Sequence, residues 1–195
     1  VLPAARGTRT VLISSVASFV PNAEVQDEAF ALLKNTSEQK NVYETLRKDH
    51  TAWWSDFWSR TFVHLTSNDG LAQFMGRIRS LHLYYMASSS RGKLPAKWNG
   101  SLFSVDGDQR NWGAQFWVWT TEISHHPLYA ADASDLADPY FNMYVNQLPA
   151  ARIAAQQRWA AKGAYFLEAG PFDGPVVLSD DLVDEWQDVY LGPKP

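Results

Sequence analysis

Residues 10–20 read TVLISSVASFV, a run of β-branched and apolar residues that Pro21 and Asn22 bring to a stop. Such a run is a strand pattern. A strand needs a neighbour, because alone it leaves its N–H and C=O groups without a ladder. No second strand pattern follows until Arg60, so the partner of this segment is expected upstream of Val1.

Nearly everything after it has helical spacing. Glu24–Leu33 and Glu38–Trp58 read as two helices, broken at Asn35-Thr36-Ser37 with Ser37 as the N-cap of the second. In the second, Val42, Leu46, Trp53, Trp54, Phe57 and Trp58 fall close to one helical stripe. Arg60–Thr66 alternates as a short strand, with Phe62 and His64 on one side and Val63 and Leu65 on the other. Asn68 or Asp69 is positioned to cap a helix over Leu71–Ser88. A turn-rich loop follows over Ser89–Arg110, and a loop of that length inside a compact domain is usually functional.

Helices are then expected over Trp112–Ser124, stopped before Pro127, over Asp135–Leu148, and over Pro149–Lys162. Pro149 would sit near the first turn of the last one, and Gly163 would be its C-cap. Phe166–Tyr190 holds two breaks containing Pro and Gly, then an acidic amphipathic stretch around Asp181–Val189. There is no internal repeat. Helices in succession pack as hairpin arrays or toroids, so the fold is expected to be mainly α.

Composition narrows the function classes. Apolar residues make up 46% and charged residues 19% of the 195, values of a globular chain. The net charge of −4 argues against a nucleic-acid partner, whose phosphates call for a basic face. No apolar run is long enough for a membrane span. With zero cysteines there are neither disulfides nor thiolate metal sites, which leaves the compartment open. The unusual feature is an aromatic content of 14%, including nine tryptophans. Flat rings suit the apolar faces of sugars, and their N–H and O–H groups can bond hydroxyls.

The densest group of polar and aromatic side chains runs from Lys97 to His126. Trp98 and Asn99 offer a ring and an amide. Asp106, Asp108, Arg110, Asn111 and Trp112 add two carboxylates, a guanidinium, an amide and an indole. Sugar hydroxyls both donate and accept, and such groups fix their orientation. The alternative for Asp106-Gly107-Asp108 is an ordinary turn leading into a helix N-cap. Calcium is not expected, because the alternating oxygen ligands and terminal Glu of a calcium loop are missing.

Glu122 lies in an apolar, aromatic helix and is the carboxylate expected to be desolvated, which would suit a proton donor. His125 and His126 give the outline Glu-x-x-His-His, but adjacent helical residues point about 100° apart, so only one of them shares the face of Glu122. One of the two is expected to bond hydroxyls, and no metal or other cofactor is expected. His50, His64 and His82 read as packing residues. The serines at 88–90 lack the context of a nucleophile, and no phosphate-binding glycine loop is present. Asn35-Thr36-Ser37 and Asn99-Gly100-Ser101 match the short N-glycosylation pattern.

Four motifs in order resemble a family. They are His50-x-x-Trp53-Trp54-x-x-Phe57-Trp58-x-Arg60 with Thr61–Leu65 after it, Leu94-Pro95-Ala96-x-x-x-Gly100, Trp112-Gly113 continuing through Phe116 to Pro127, and Pro149-Ala150-Ala151-Arg152 ending in Lys162-Gly163-Ala164. Together they look like glycoside hydrolase family 95, the α-L-fucosidase-like enzymes. The resemblance implies a β-sandwich, a helical linker, an (α/α)6 barrel and a C-terminal β-domain. It divides the chain into 1–22, the end of the sandwich; 23–67, the linker and short strand; and 68–195, the N-terminal part of an incomplete toroid.

The resemblance further implies a glycosidase of oligo- or polysaccharides, secreted or periplasmic, whose main carboxylates lie beyond Pro195. This chain alone would then be inactive, and its partners would be a carbohydrate and the remainder of its own polypeptide. Fucosidases carry an Asn-x-Asn pair where this chain has Trp117-Val118-Trp119-Thr120-Thr121-Glu122, a departure that points to a sibling family with another sugar. Glu122 is then the catalytic candidate. Trp98, Asn99, Asp108, Arg110, Asn111, Trp112, Trp117, His125 and His126 are the candidates for sugar binding. The other readings are a non-catalytic carbohydrate-binding protein and a toroid-type polysaccharide lyase.

Overall fold

A computed structural model describes residue 7 and residues 10–18, 24–97 and 116–175. Among them the chain is mainly helical, with five α-helices and one two-stranded antiparallel sheet. It forms two compact units, Val1–Ser59 and Arg60–Pro195.

In the first unit, residues 10–18 belong to no ladder, which corrects the strand expected over 10–20; Phe19 and Val20 lie outside the described residues. The two-residue period survives, since Leu12, Ser14 and Val16 are half-buried between exposed neighbours. No partner strand exists for it among the described residues, so its backbone stays outside any sheet. Its contact is with α1 (Val25–Ser37), where the Ser14 hydroxyl donates to the Ala29 carbonyl at 2.8 Å.

The break after α1 falls later than expected. Thr36 Oγ1 donates back to Leu32 O at 2.8 Å and Ser37 Oγ to Lys34 O at 2.9 Å. These hydroxyls close the end of α1, so Ser37 is not an N-cap. The turn comes at residues 38–41, where Asn41 takes a left-handed φ of 55°. Helix α2 (Val42–Thr61) then carries a ladder of rings. Trp53 stacks on Phe57 at 5.4 Å and Trp54 on Trp58 at 5.8 Å, with edge contacts between the two pairs. Helical spacing of four residues produces both stacks.

In the second unit, the short strand expected over Arg60–Thr66 does not form. Arg60 and Thr61 finish α2, and 62–66 run exposed outside any ladder. The reason lies in the end of the helix, which longer-range donors hold. Arg79 donates to the Thr61 carbonyl at 2.6 Å, and the Arg60 fork reaches both Asp135 oxygens at 3.2 Å and the Asp132 carbonyl at 2.5 Å. Carbonyls of a last helical turn need such partners.

Helix α3 (Leu71–Ser89) has Gly70 at its N-cap instead of Asn68 or Asp69, and side chains just before it accept from its first N–H groups. Asp69 Oδ1 accepts from the Leu71 N–H at 3.0 Å and from Ser67 Oγ at 2.6 Å, while Ser67 Oγ accepts from the Ala72 N–H at 2.9 Å. Gly70 between them has φ +77°, which a residue with a side chain rarely adopts.

The two later prolines do not end helices. Helix α4 (Val118–Ala130) begins after Trp117 and runs through Pro127. Helix α5 (Asp138–Trp159) follows a short 3-10 turn over Ser134–Ala137 and runs through Pro149, so the two helices expected over 135–162 are one. A proline removes one N–H bond and crowds the carbonyl four residues earlier. Those carbonyls belong to Ile123 and Val145, both exposed residues where solvent can take over the lost bond. Helix α5 ends at Ala160, with φ 48°, before Gly163 is reached.

The chain then returns along α5. Tyr165 donates its N–H to the Ala151 carbonyl, and β2 (Ala169–Gly170) pairs with β1 (Phe116–Trp117). Residues 176–195, including the acidic stretch at 181–189, lie outside the described residues. The core of this unit joins Leu83 and Met86 of α3, Leu128 of α4, Leu136, and Met143 of α5, with alanines closing the gaps. On its other side α3 exposes Leu71, Phe74, Met75, Ile78 and Leu81 along one strip. A helix apolar on two sides is normally covered on both. No described helix is long and apolar enough to cross a membrane.

Candidate functional site

Helix α4 divides its side chains between two surfaces. Thr121, His125 and Leu128 are buried. Trp119, Glu122, Ile123, His126 and Tyr129 follow an i, i+3, i+4, i+7 spacing on the opposite, open side. There Trp119 is 65% exposed, and His126 Nε2 lies 3.2 Å from Glu122 Oε1, with side chains 60% and 47% exposed. An indole face thus stands beside a carboxylate–imidazole pair. Such a surface can stack on an apolar ring face and bond its hydroxyls.

The expectation of a desolvated Glu122 is corrected by this exposure. The apolar residues around it in sequence, such as Trp119 and Ile123, are themselves on the open face and remove little water from it. His126 is the imidazole that shares its side, and His125 points inward, as the angular argument required. Among the described residues no three His, Asp or Glu side chains gather as a metal site.

The inward face is a cluster of imidazoles and phenols. His125 is 2% exposed, and its Nδ1 lies 2.7 Å from the Thr121 carbonyl; its ring centroid is 5.0 Å from that of Tyr140 on α5. Tyr140 and Tyr144 stand edge-on at 5.0 Å. Burial first, then the negative charge of Glu122 and that of Glu168, pushes the Tyr140 phenol up to about 12. Burial, then Tyr140 and Glu168, raises Tyr144. Both phenols keep their protons at neutral pH and act as donors. His82 of α3 joins this group, its ring lying against the Ser124 carbonyl.

Trp117 is half-buried at the end of β1, where the Val118 N–H donates to Glu168 O at 2.8 Å. The chain leaves the described residues at Lys97 and re-enters at Phe116. Lys97 Nζ lies 5.3 Å from the Phe116 ring centroid, and the Tyr85 hydroxyl donates to the Lys97 carbonyl. Lys97 and Phe116 thus lie close together next to the start of α4. Trp98, Asn99, Asp106, Asp108, Arg110, Asn111 and Trp112 themselves lie outside the described residues.

His50 and His64 are exposed, which corrects their reading as packing residues; His50 meets the edge of Trp54 at 6.3 Å. His82 is half-buried and does pack. Trp119, Tyr129, Tyr140 and Tyr144 were missed as site candidates. For Trp119 and Tyr129 the signal was there, in their spacing to Glu122 and His126.

No family model, curated protein or solved structure matches the chain.

Proposed function

We propose that this chain is part of a glycoside hydrolase acting on oligo- or polysaccharide, and that it contributes sugar-binding residues. The observation that carries the reading is the open face of α4, where Trp119 stands beside the Glu122–His126 pair. Trp119 stacks on a sugar ring, and Glu122 and His126 bond its hydroxyls. The four ordered motifs that resemble glycoside hydrolase family 95 support the same reading, and a mainly helical chain agrees with an (α/α)6 toroid. In it, Trp98, Asn99, Asp108, Arg110, Asn111 and Trp112 are further sugar-binding residues. A secreted or periplasmic home follows from the resemblance.

A non-catalytic carbohydrate-binding role is the second reading, favoured by the openness of Glu122. Glycosidic proton donors are ordinarily carboxyls held in a water-poor setting, and cleavage takes two carboxyl groups. Binding of oligosaccharides to the chain, followed by tryptophan emission and calorimetry, tests the shared part of both readings. Trp119→Ala is expected to weaken binding about two- to tenfold, the order of magnitude of one lost stacking contact. Wild-type protein that binds no oligosaccharide, or a Trp119→Ala variant that binds as well, sinks the proposal. Hydrolysis by the complete polypeptide then separates the two: loss of turnover with binding kept in Glu122→Gln favours the hydrolase.

A further inference from the structure

A half-buried imidazole of α3, His82, and a buried one of α4, His125, lie on either side of Ser124. Its carbonyl lies against the His82 ring, and its Oγ lies 3.3 Å from His125 Nδ1. On each ring Nε2 is shut off from solvent and has no hydrogen-bond partner among the described residues. His125 Nδ1 already faces the Thr121 carbonyl at 2.7 Å, so that nitrogen carries the proton and Nε2 is the bare one. We propose that His82 and His125 form an acid-operated release between α3 and α4, closed while both rings are neutral and opened when they take up protons.

The reasoning is electrostatic and steric. A proton added to His125 Nε2 would create a buried N–H with no acceptor and a charge with no counter-ion. The charges that bear on His125 are those of His82 from α3 and His126 from α4, and both oppose a proton there. From α5 the facing groups are Tyr140 and Tyr144, neutral phenols at any pH of interest. Glu122 and Glu168 act on those phenols, and Glu122 is turned to the open face with His126. Burial lowers both histidines from the ordinary value of 6.5, and the carbonyls of Ser124 and Thr121 offset only part of that.

The sign follows. In the closed state both rings take up protons only below the ordinary 6.5, whereas in the opened state they charge near it. The closed state is thus fully favoured above that value and loses ground as pH falls, until the closed-state histidines themselves protonate. Each histidine lowers the closed-to-open ratio by up to about tenfold per pH unit, and the pair by up to about a hundredfold. The release is separate from sugar binding, since neither ring is on the open face of α4.

The test uses the whole chain at pH 7.5, 6.0 and 5.0. The urea midpoint is read by circular dichroism for wild type and for His82→Asn/His125→Asn, and histidine ring NMR follows the wild type alone. The expected result is a wild-type midpoint that falls steeply below pH 6.5, a flatter profile in the double variant, and two ring signals that titrate below the ordinary 6.5. A wild-type midpoint flat from 7.5 to 5.0 overturns the proposal, as does a double variant with the wild-type slope. If the double variant does not fold, the NMR decides: His82 and His125 signals that titrate at or above the ordinary 6.5 overturn it, and signals that titrate below it, with the steep fall of the wild-type midpoint, uphold it.

Discussion

Gln147 offers a sharp test of how the second unit holds β2 against β1. It is 4% exposed on α5, and its Nε2 donates to the Phe172 carbonyl at 3.0 Å and to the Pro171 carbonyl at 3.4 Å. Around it Phe116, Tyr144, Leu167 and Gly174 leave a gap too small for water, so the amide cannot trade these carbonyls for solvent. Leucine at 147 has nearly the same volume and adds little cavity or clash, which isolates the polar loss. The 3.4 Å bond is near the limit of useful geometry and contributes little, while the 3.0 Å bond counts in full.

Removing the donor should cost about 1–2 kcal/mol: the net worth of one bond plus part of the desolvation of a half-buried carbonyl. With a urea slope of about 2 kcal/mol per molar, the midpoint should drop by roughly 0.5–1 M at an unchanged slope. Gln147→Glu keeps the shape but turns an acceptor-only carboxylate toward two carbonyls, so at pH 7.5 it should be less stable than Gln147→Leu. Urea melts of the three proteins by tryptophan emission measure this. A Glu variant at or above the Leu variant at that pH would refute the reasoning.

Further outcomes are expected elsewhere. Leu128, fully buried on α4, should cost about 2–5 kcal/mol when changed to alanine, read as a lower urea midpoint; a loss under 1 kcal/mol would show that the core collapses around it. Ser67→Ala should remove about 0.5–2 kcal/mol by stripping the α3 cap, whereas Asn68→Ala next to it should be nearly silent. The Ser67 hydroxyl, then the Leu71 N–H, hold the Asp69 carboxyl below its ordinary 3.8. The stability it contributes is full above that value and vanishes as pH falls further, so Asp69→Asn should flatten the acid limb of the unfolding curve. Changing Leu71, Met75 and Ile78 to glutamine should reduce concentration-dependent association in sedimentation velocity; wild type that stays monomeric at every concentration would count against an uncovered α3 strip.

Much of the helical framework was legible because it rests on local signals. The aromatic ladder of α2 follows from four-residue spacing, and Asp69 before an apolar run marked the α3 start, whereas the part played by Ser67 was not read. The failures came where distant partners overruled local chemistry. Pro127 and Pro149 read as helix ends, yet each sits on a helix whose crowded carbonyl is on an exposed residue, where the lost bond is cheap. Residues 60–66 read as a strand, but Arg79 and Asp135, neither near in sequence, tie Arg60 and Thr61 into α2. Among the described residues neither β-like segment has a second strand, and a period of two does not make a sheet by itself. Of the site, Glu122 and His126 were found but their setting was not. Hydrophobic neighbours in sequence suggested a dry carboxylate, whereas the helix turns those neighbours outward alongside it.

The ring ladder of α2 also has an optical consequence. Trp53 and Trp54 meet at 4.9 Å almost at right angles, and Trp54 lies 5.8 Å from Trp58. Indoles this near share excitation, so their far-ultraviolet couplet reads the winding of that one helix. Trp117 and Trp119 belong to the other unit, and emission altered by Trp119→Ala reads α4 instead. The protein therefore carries two native gauges, and the order in which they change during unfolding shows whether its units melt together or apart.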